Sequence, residues 1–207
     1  MKLQAAIDRK SLAETITLAK ILDPVVDIIE IGTSAIKDFG FVALKDLKSQ
    51  LHHAQLLFDI KTNDEGDYEF KAGFDAKADI LTVMGAMDHA TLAKTYQVAQ
   101  DRQKDMFIDL MAMSEQQIAQ ITDFHQAIFG LHHSHDSSQN FAPTDSVAAF
   151  HEQFPSIKRV AVAGGINLTS AKTLAAQGLT EIVIVGGAIA GSDDPLASAK
   201  EFMEVIK

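Results

Sequence analysis

The chain has 207 residues, no cysteine, 18 Lys and Arg against 28 Asp and Glu, and a formal net charge of -10. That length suits one domain with a sizeable core. The absent thiols exclude disulfides and thiolate metal sites, and the acidic balance argues against nucleic acid or an anionic membrane as partner. The opening Met1-Lys2-Leu3-Gln4-Ala5-Ala6-Ile7-Asp8 has too short an apolar run for a signal peptide, and no later segment reaches membrane-spanning length. A cytoplasmic protein is the expectation.

Apolar strand-like runs alternate with helical patterns, and the alternation repeats eight times. Leu3–Ile7 reads as the first strand. A helix follows over Ser11–Ile21, with Ser11 as N-cap and Glu14 completing a capping box. Val25–Ile31 is the second strand, ending Glu30-Ile31-Gly32-Thr33, with a helix expected over Phe41–Leu51. Gln55–Ile60 is the third strand and Asp67–Ala76 its helix; Ile80–Val83 is the fourth, followed by a helix over His89–Gln100. Met106–Leu110 is the fifth, with Ser114 and Gln117 opening the next helix; Ala127–Leu131 is the sixth, followed by a helix over Ser146–Phe154. Arg159–Val162 is the seventh, ending Ala163-Gly164-Gly165-Ile166, with a helix over Ser170–Gln177 closed by Gly178. Ile182–Val185 is the eighth, ending Gly186-Gly187-Ala188, and a last helix runs from Pro195 to Ile206.

Eight β-α units with apolar strands predict an α/β protein: one (β/α)8 TIM barrel over residues 1–207. The competing open doubly wound sheet calls for a G-x-G-x-x-G turn after the first strand, where Asp8-Arg9-Lys10 stands instead. Active sites of such barrels lie at the C-terminal strand ends. Those ends carry Asp8, Glu30, Asp59 with Lys61, Asp109 and His132. Five of the first six strands thus end in an ionisable group. A purely structural barrel has no use for them, because each buried charge costs several kcal/mol unless paired.

Alternation puts Asp59 and Lys61 on one face of their strand, and Asp64 in the next loop could turn back to the same ammonium or reach a neighbouring chain. Between Asp59 and Asp64 the Lys61 pKa should rise, which excludes a Schiff-base role and favours stabilising negative charge on an enediolate. The carboxylates Glu30 and Asp59, with Asp8 and Asp109 near, call for a cation, and oxygen-only ligands suit Mg²⁺. The glycine pairs Gly164-Gly165 and Gly186-Gly187 end the seventh and eighth strands, where this fold holds phosphate. A small phosphorylated metabolite is the expected substrate.

Asp59-x-Lys61-x-x-Asp64-x-Gly66, with Glu30-Ile31-Gly32-Thr33 before it, resembles the orotidine monophosphate decarboxylase superfamily. It most resembles the branch of 3-hexulose-6-phosphate synthase and 3-keto-L-gulonate-6-phosphate decarboxylase. The likeness covers the chain, through Met1-Lys2-Leu3-Gln4-x-Ala6-Ile7-Asp8, Ala78-Asp79-x-x-Thr82-Val83-x-Gly85, and both glycine loops. It implies a ribulose-phosphate-binding barrel, a homodimer with shared active sites, and Mg²⁺ on Glu30 and Asp59. It further implies Lys61 at the enediolate oxygens and Asp64 donated across the dimer. Asp8 would meet substrate hydroxyls, His132 would move protons and Asp109 would support it. Gly164, Gly165, Gly186 and Gly187 would hold the phosphate, and Thr82 would contact substrate.

Within the branch, the decarboxylase typically has Arg after the last glycine-loop Gly, and Glu on the fifth strand. Gly187 and Asp109 follow the synthase. In His132-His133-Ser134-His135-Asp136, His135 replaces the decarboxylase's usual Arg. The resemblance therefore implies a metal-dependent carbon–carbon lyase. Aldol addition of formaldehyde to ribulose 5-phosphate stands first, and decarboxylation of 3-keto-L-gulonate 6-phosphate is the alternative. Orotidine monophosphate decarboxylase itself, or a sugar-phosphate-binding protein without activity, stands behind these.

Overall fold

The computed structural model describes residues 1–132 and 142–207, so His133 and His135 lie outside the described residues. Eight parallel strands close into a barrel in sequence order. They are β1 (Lys2–Ile7), β2 (Ile28–Ile31), β3 (Gln55–Thr62), β4 (Ile80–Met84), β5 (Asp105–Asp109), β6 (Ile128–His132), β7 (Val160–Ala163) and β8 (Ile182–Val185). β8 pairs back onto β1, with Lys2 opposite Ile182 and Ala5 opposite Val185. Around them run α1 (Leu12–Leu22), α2 (Thr33–Leu44), α3 (Gly66–Asp75), α4 (His89–Asp101), α5 (Glu115–Ile118), α6 (Pro143–Gln153), α7 (Leu168–Gln177), α8 (Gly187–Ala190) and α9 (Pro195–Ile206). No helix among the described residues is long and apolar enough to cross a membrane.

Strands covered on both faces must be apolar at successive positions, and these are. Leu3, Ile29, Leu56, Phe58 and Leu81 pack outward in the main core. Ile28, Leu57, Ile80, Phe107, Ile128 and Ile182 form a second, inner cluster. Alternation then dictates what comes next on the inner face. Two residues beyond Ile28, Leu57 and Phe107 stand Glu30, Asp59 and Asp109, all buried. The barrel therefore has an apolar plug with a charged mouth directly above it.

Helix ends follow the local chemistry. The Ser11–Glu14 capping box forms as expected, Ser114 and Gln117 open α5 through a second one, and Gly178 closes α7 at φ 69. The second helix does not follow the expected Phe41–Leu51 bounds. Gly32 has extended backbone and releases the chain into α2 at Thr33. Gly40, at φ 68 and ψ 174, then breaks the helical path before Phe41. Phe41 stacks on Phe58 at a 5.9 Å centroid distance. Residues beyond α2 supply only a 3₁₀ turn at Lys48–Gln50. The kink interrupts the apolar periodicity, which is why the pattern points to a later start. The short α8 has no counterpart in the sequence pattern.

The N-terminal strand ends carry a separate ion network. Arg159 bridges Asp105 and Glu181, and Lys48 and Lys104 flank Asp79. In this fold that face serves stability. Nearby, buried Asp23 caps α1 and accepts the backbone N–H groups of His52, His53 and Ala54 at 2.9, 3.1 and 2.9 Å. Burial opposes its ionisation, but those three N–H groups prevail and hold the carboxyl below its ordinary value. A lowered pKa means the stabilisation is present above the unfolded value of about 3.9 and is lost as pH falls through the folded one. Asp23→Ala should cost roughly 2–3 kcal/mol at neutral pH in urea unfolding, and the gap to wild type should narrow at pH about 3.

Candidate active site

The mouth is organised by an irregularity in β3. Opposite β4, Phe58 pairs with Leu81 but Thr62 pairs with Val83, so four residues span two. Such a bulge re-aims side chains. Lys61 sits in it at φ 47, a left-handed conformation that costs a non-glycine residue of order 1–3 kcal/mol. Its backbone N–H donates to Thr82 Oγ1 at 2.8 Å, and that hydroxyl donates to Asp59 Oδ1 at 2.8 Å. Thr33 Oγ1, at the start of α2, donates to Asp59 Oδ2 at 2.6 Å.

The Lys61 ammonium lies 3.2 and 3.1 Å from the Asp59 oxygens and 2.8 Å from Asp109 Oδ2. The same Asp109 oxygen is 2.9 Å from His132 Nδ1. Asp109 Oδ1 accepts the Met111 N–H at 2.9 Å. Burial alone would depress the Lys61 pKa, but Asp59 and Asp109 outweigh it and hold the amine above its ordinary value. The rise expected from sequence is therefore present, with Asp109 in the place given to Asp64. Asp109 is likewise opposed by burial, yet the His132 hydrogen bond and the Lys61 charge bring it down to about 2.

Glu30 behaves oppositely. Burial, then the charges of Asp59 and Asp8, push it up to about 8, although Gln4 Nε2 donates to its Oε2 at 2.6 Å. Asp8 is exposed, and its Oδ1 accepts from the Ser34 hydroxyl at 3.1 Å. A Cβ at Gly32 would lie 2.1 Å from that carboxylate, so any other residue there would displace the Asp8 side chain from this position.

One cavity of about 560 Å³ gathers these groups. Asp8, Glu30, Asp59, Lys61, Thr82, Asp109 and His132 line it together with Gly164, Gly165, Gly186 and Gly187. All the expected site residues converge there except Asp64. That residue is exposed, with Oδ1 accepting the N–H of Glu65 at 2.8 Å. Thr82 lines the cavity, but its hydroxyl is committed to Asp59 and Lys61. A larger groove of about 670 Å³, lined by Asn167, Ser170 and Glu201 among others, brings no comparable set of charges together. Sequence reasoning assigned no role to Gln4, Thr33, Ser34 or Arg9, all of which line the cavity. For Gln4 a signal existed: it shares the inward face with Ala6 and Asp8 at period two.

Among the described residues, no three His, Asp or Glu side chains close around a common point. Glu30 and Asp59 nevertheless fit a hard divalent ion. Mg²⁺ is bound through one or two carboxylates and otherwise keeps waters or substrate oxygens. Lys61 is shared between Asp59 and Asp109, which leaves Glu30, raised by burial and by the Asp59 charge, as the carboxyl that a bound divalent ion would bring back to its ionised form.

The chain matches the model of the orotidine 5'-phosphate decarboxylase / HUMPS family over residues 1–202. It is 31% identical to a 3-hexulose-6-phosphate synthase of Staphylococcus haemolyticus and 32% identical to one of Staphylococcus epidermidis. Each alignment covers 100% of this chain and 99% of the relative. A solved 3-hexulose-6-phosphate synthase from Salmonella typhimurium superposes with a TM-score of 0.91 at 30% identity, covering 100% of this chain and 98% of that one. A solved KGPDC from Streptococcus mutans superposes at a TM-score of 0.89, covering 99% of this chain and 96% of that one. At 22% identity it speaks for the fold alone. With the fold, the motif positions and the family match in agreement over nearly the whole length, this chain belongs to the orotidine 5'-phosphate decarboxylase / HUMPS family.

Proposed function

We propose that the chain is a Mg²⁺-dependent 3-hexulose-6-phosphate synthase, a cytoplasmic lyase joining ribulose 5-phosphate to formaldehyde through an enediolate. The observation that carries this reading is the Lys61–Asp109–His132 connection beside Glu30 and Asp59. Relatives about 30% identical over their full length carry the synthase name, which supports the same choice.

The sugar phosphate would lie across the cavity, phosphate toward Gly165, Gly186 and Gly187, ketose end toward the carboxylates. A divalent ion on Glu30 and Asp59 would supply Lewis-acid charge at the ketose oxygens. Lys61 stays protonated at any working pH, so its ammonium can stabilise negative charge where the enediolate develops. Asp109 fixes His132 through Nδ1, leaving Nε2 as the nitrogen that exchanges protons. His132 takes the proton as the C1–H bond breaks; C1 then bonds the formaldehyde carbon, whose oxygen takes up a proton. Asp109 stabilises the imidazolium formed in between. Asp8, exposed at the rim, would meet substrate hydroxyls.

Asp64 would complete the site of a second copy. Its exposure and its absence from the lining of its own cavity support this, as do Val42 and Tyr68, apolar yet 80% and 70% exposed on α2 and α3. The reading is thus a homodimer with shared sites.

Three measurements test it. Ribulose 5-phosphate, formaldehyde and Mg²⁺ should yield hexulose phosphate, and EDTA should abolish the reaction. No product, with CO₂ released from 3-keto-L-gulonate 6-phosphate, would install the decarboxylase instead. Lys61→Ala should lower kcat by about 10²–10³-fold and His132→Asn by about 10²–10⁴-fold. Finally, mixing the separately impaired Lys61→Ala and Asp64→Asn proteins should raise activity well above that of either alone through hybrid dimers, and sites confined to one chain would give no rise.

A further inference from the structure

We propose that Arg9 is the cation that pairs with the substrate phosphate and sets the preference for phosphorylated over unphosphorylated sugar. The proposal rests on reading the cavity as a sugar-phosphate site. A phosphate monoester carries roughly -1.5 to -2 charge near neutral pH. Its binding here faces a chain of net charge -10 and a cavity lined by Asp8, Glu30, Asp59 and Asp109. The glycine loops offer N–H groups but no net charge. The Lys and Arg residues lining the cavity are Lys61 and Arg9. Lys61 is already shared between Asp59 and Asp109. Arg9 forms no ion pair among the described residues.

Position supports the assignment. β1 and β8 are hydrogen-bonded neighbours through barrel closure, with Ala5 opposite Val185. Arg9 follows Ala5 by four residues, and Gly186-Gly187 directly follow Val185, so both leave adjacent strand ends. A Cβ on Gly186 would sit 3.9 Å from the Cβ of Ala6, which shows how closely the two ends approach. The loop is also held in place. Arg9 has φ 52, and its N–H donates to Ser34 Oγ at 2.9 Å, while Ser34 donates to Asp8. Left-handed backbone on a non-glycine residue persists where the surroundings over-determine it, commonly at functional sites. The other non-glycine cavity residue with this backbone conformation is Lys61, at φ 47. A guanidinium presents a planar fork matched to two phosphate oxygens, where an ammonium is a point charge.

The test compares wild type, Arg9→Gln and Arg9→Lys on two probes, ribulose 5-phosphate and ribulose, with inorganic phosphate as a competing ligand followed by calorimetry. In Arg9→Gln, the ratio of kcat/KM for the phosphate ester over ribulose should fall about 10–100-fold, carried by KM, and phosphate affinity should fall in parallel. Arg9→Lys should recover part of both, and it reads the same contrast if Arg9→Gln fails to fold. An unchanged ratio, or a loss confined to kcat, overturns the role of Arg9 while leaving the synthase reading intact. Arg9-dependent phosphate affinity in a protein that makes no hexulose phosphate keeps Arg9 and overturns the synthase.

Discussion

A single buried ammonium governs the barrel mouth. Lys61 lies within 3.2 Å of oxygens from two carboxylates on two strands, one of which also holds His132. At such distances, with an effective dielectric near 20, each pair attracts by about 5–6 kcal/mol before desolvation is subtracted. Removing the cation would leave Asp59 and Asp109 buried without compensation. The arrangement therefore serves folding and chemistry together: Lys61 keeps its proton, Asp109 stays ionised, and the imidazole of His132 is held in one orientation.

The bulge in β3 makes this possible. A regular strand would carry Lys61 along the ladder with β4; the irregular pairing of Phe58 and Thr62 lets the ammonium fall back between Asp59 and Asp109. The strain at φ 47 is held by the Thr82 hydroxyl, which bonds both Lys61 and Asp59. Local distortion is thus tied to a specific charge geometry, while the opposite end of the barrel, with Arg159 between Asp105 and Glu181, carries ion pairs outside the cavity.

The cavity is divided by charge. Carboxylates occupy the ends of β1, β2, β3 and β5, and glycines end β7 and β8. A negatively charged substrate can enter only if its anionic end avoids the carboxylates, which gives the site a polarity. Closure of the barrel sets β1, whose end leads to Arg9, beside β8, whose end leads to Gly186 and Gly187.

Much of this was legible in the chain itself. Alternation and capping are local, set by residues two to four apart, so the eight strands, the Ser11 and Ser114 caps and the charged strand ends could be read directly. The Gly40 kink hid the start of α2 because it interrupts the periodicity on which such reading depends. The partners were decided by the closed barrel. Asp109 reaches Lys61 across 48 residues, and Gln4 and Thr33 each reach a carboxylate 26 residues away. Strand register, shear and one bulge determine those meetings. No local pattern encodes them, and Asp64, which its spacing left open to turn back to the ammonium or to reach a neighbouring chain, stands exposed outside the cavity lining.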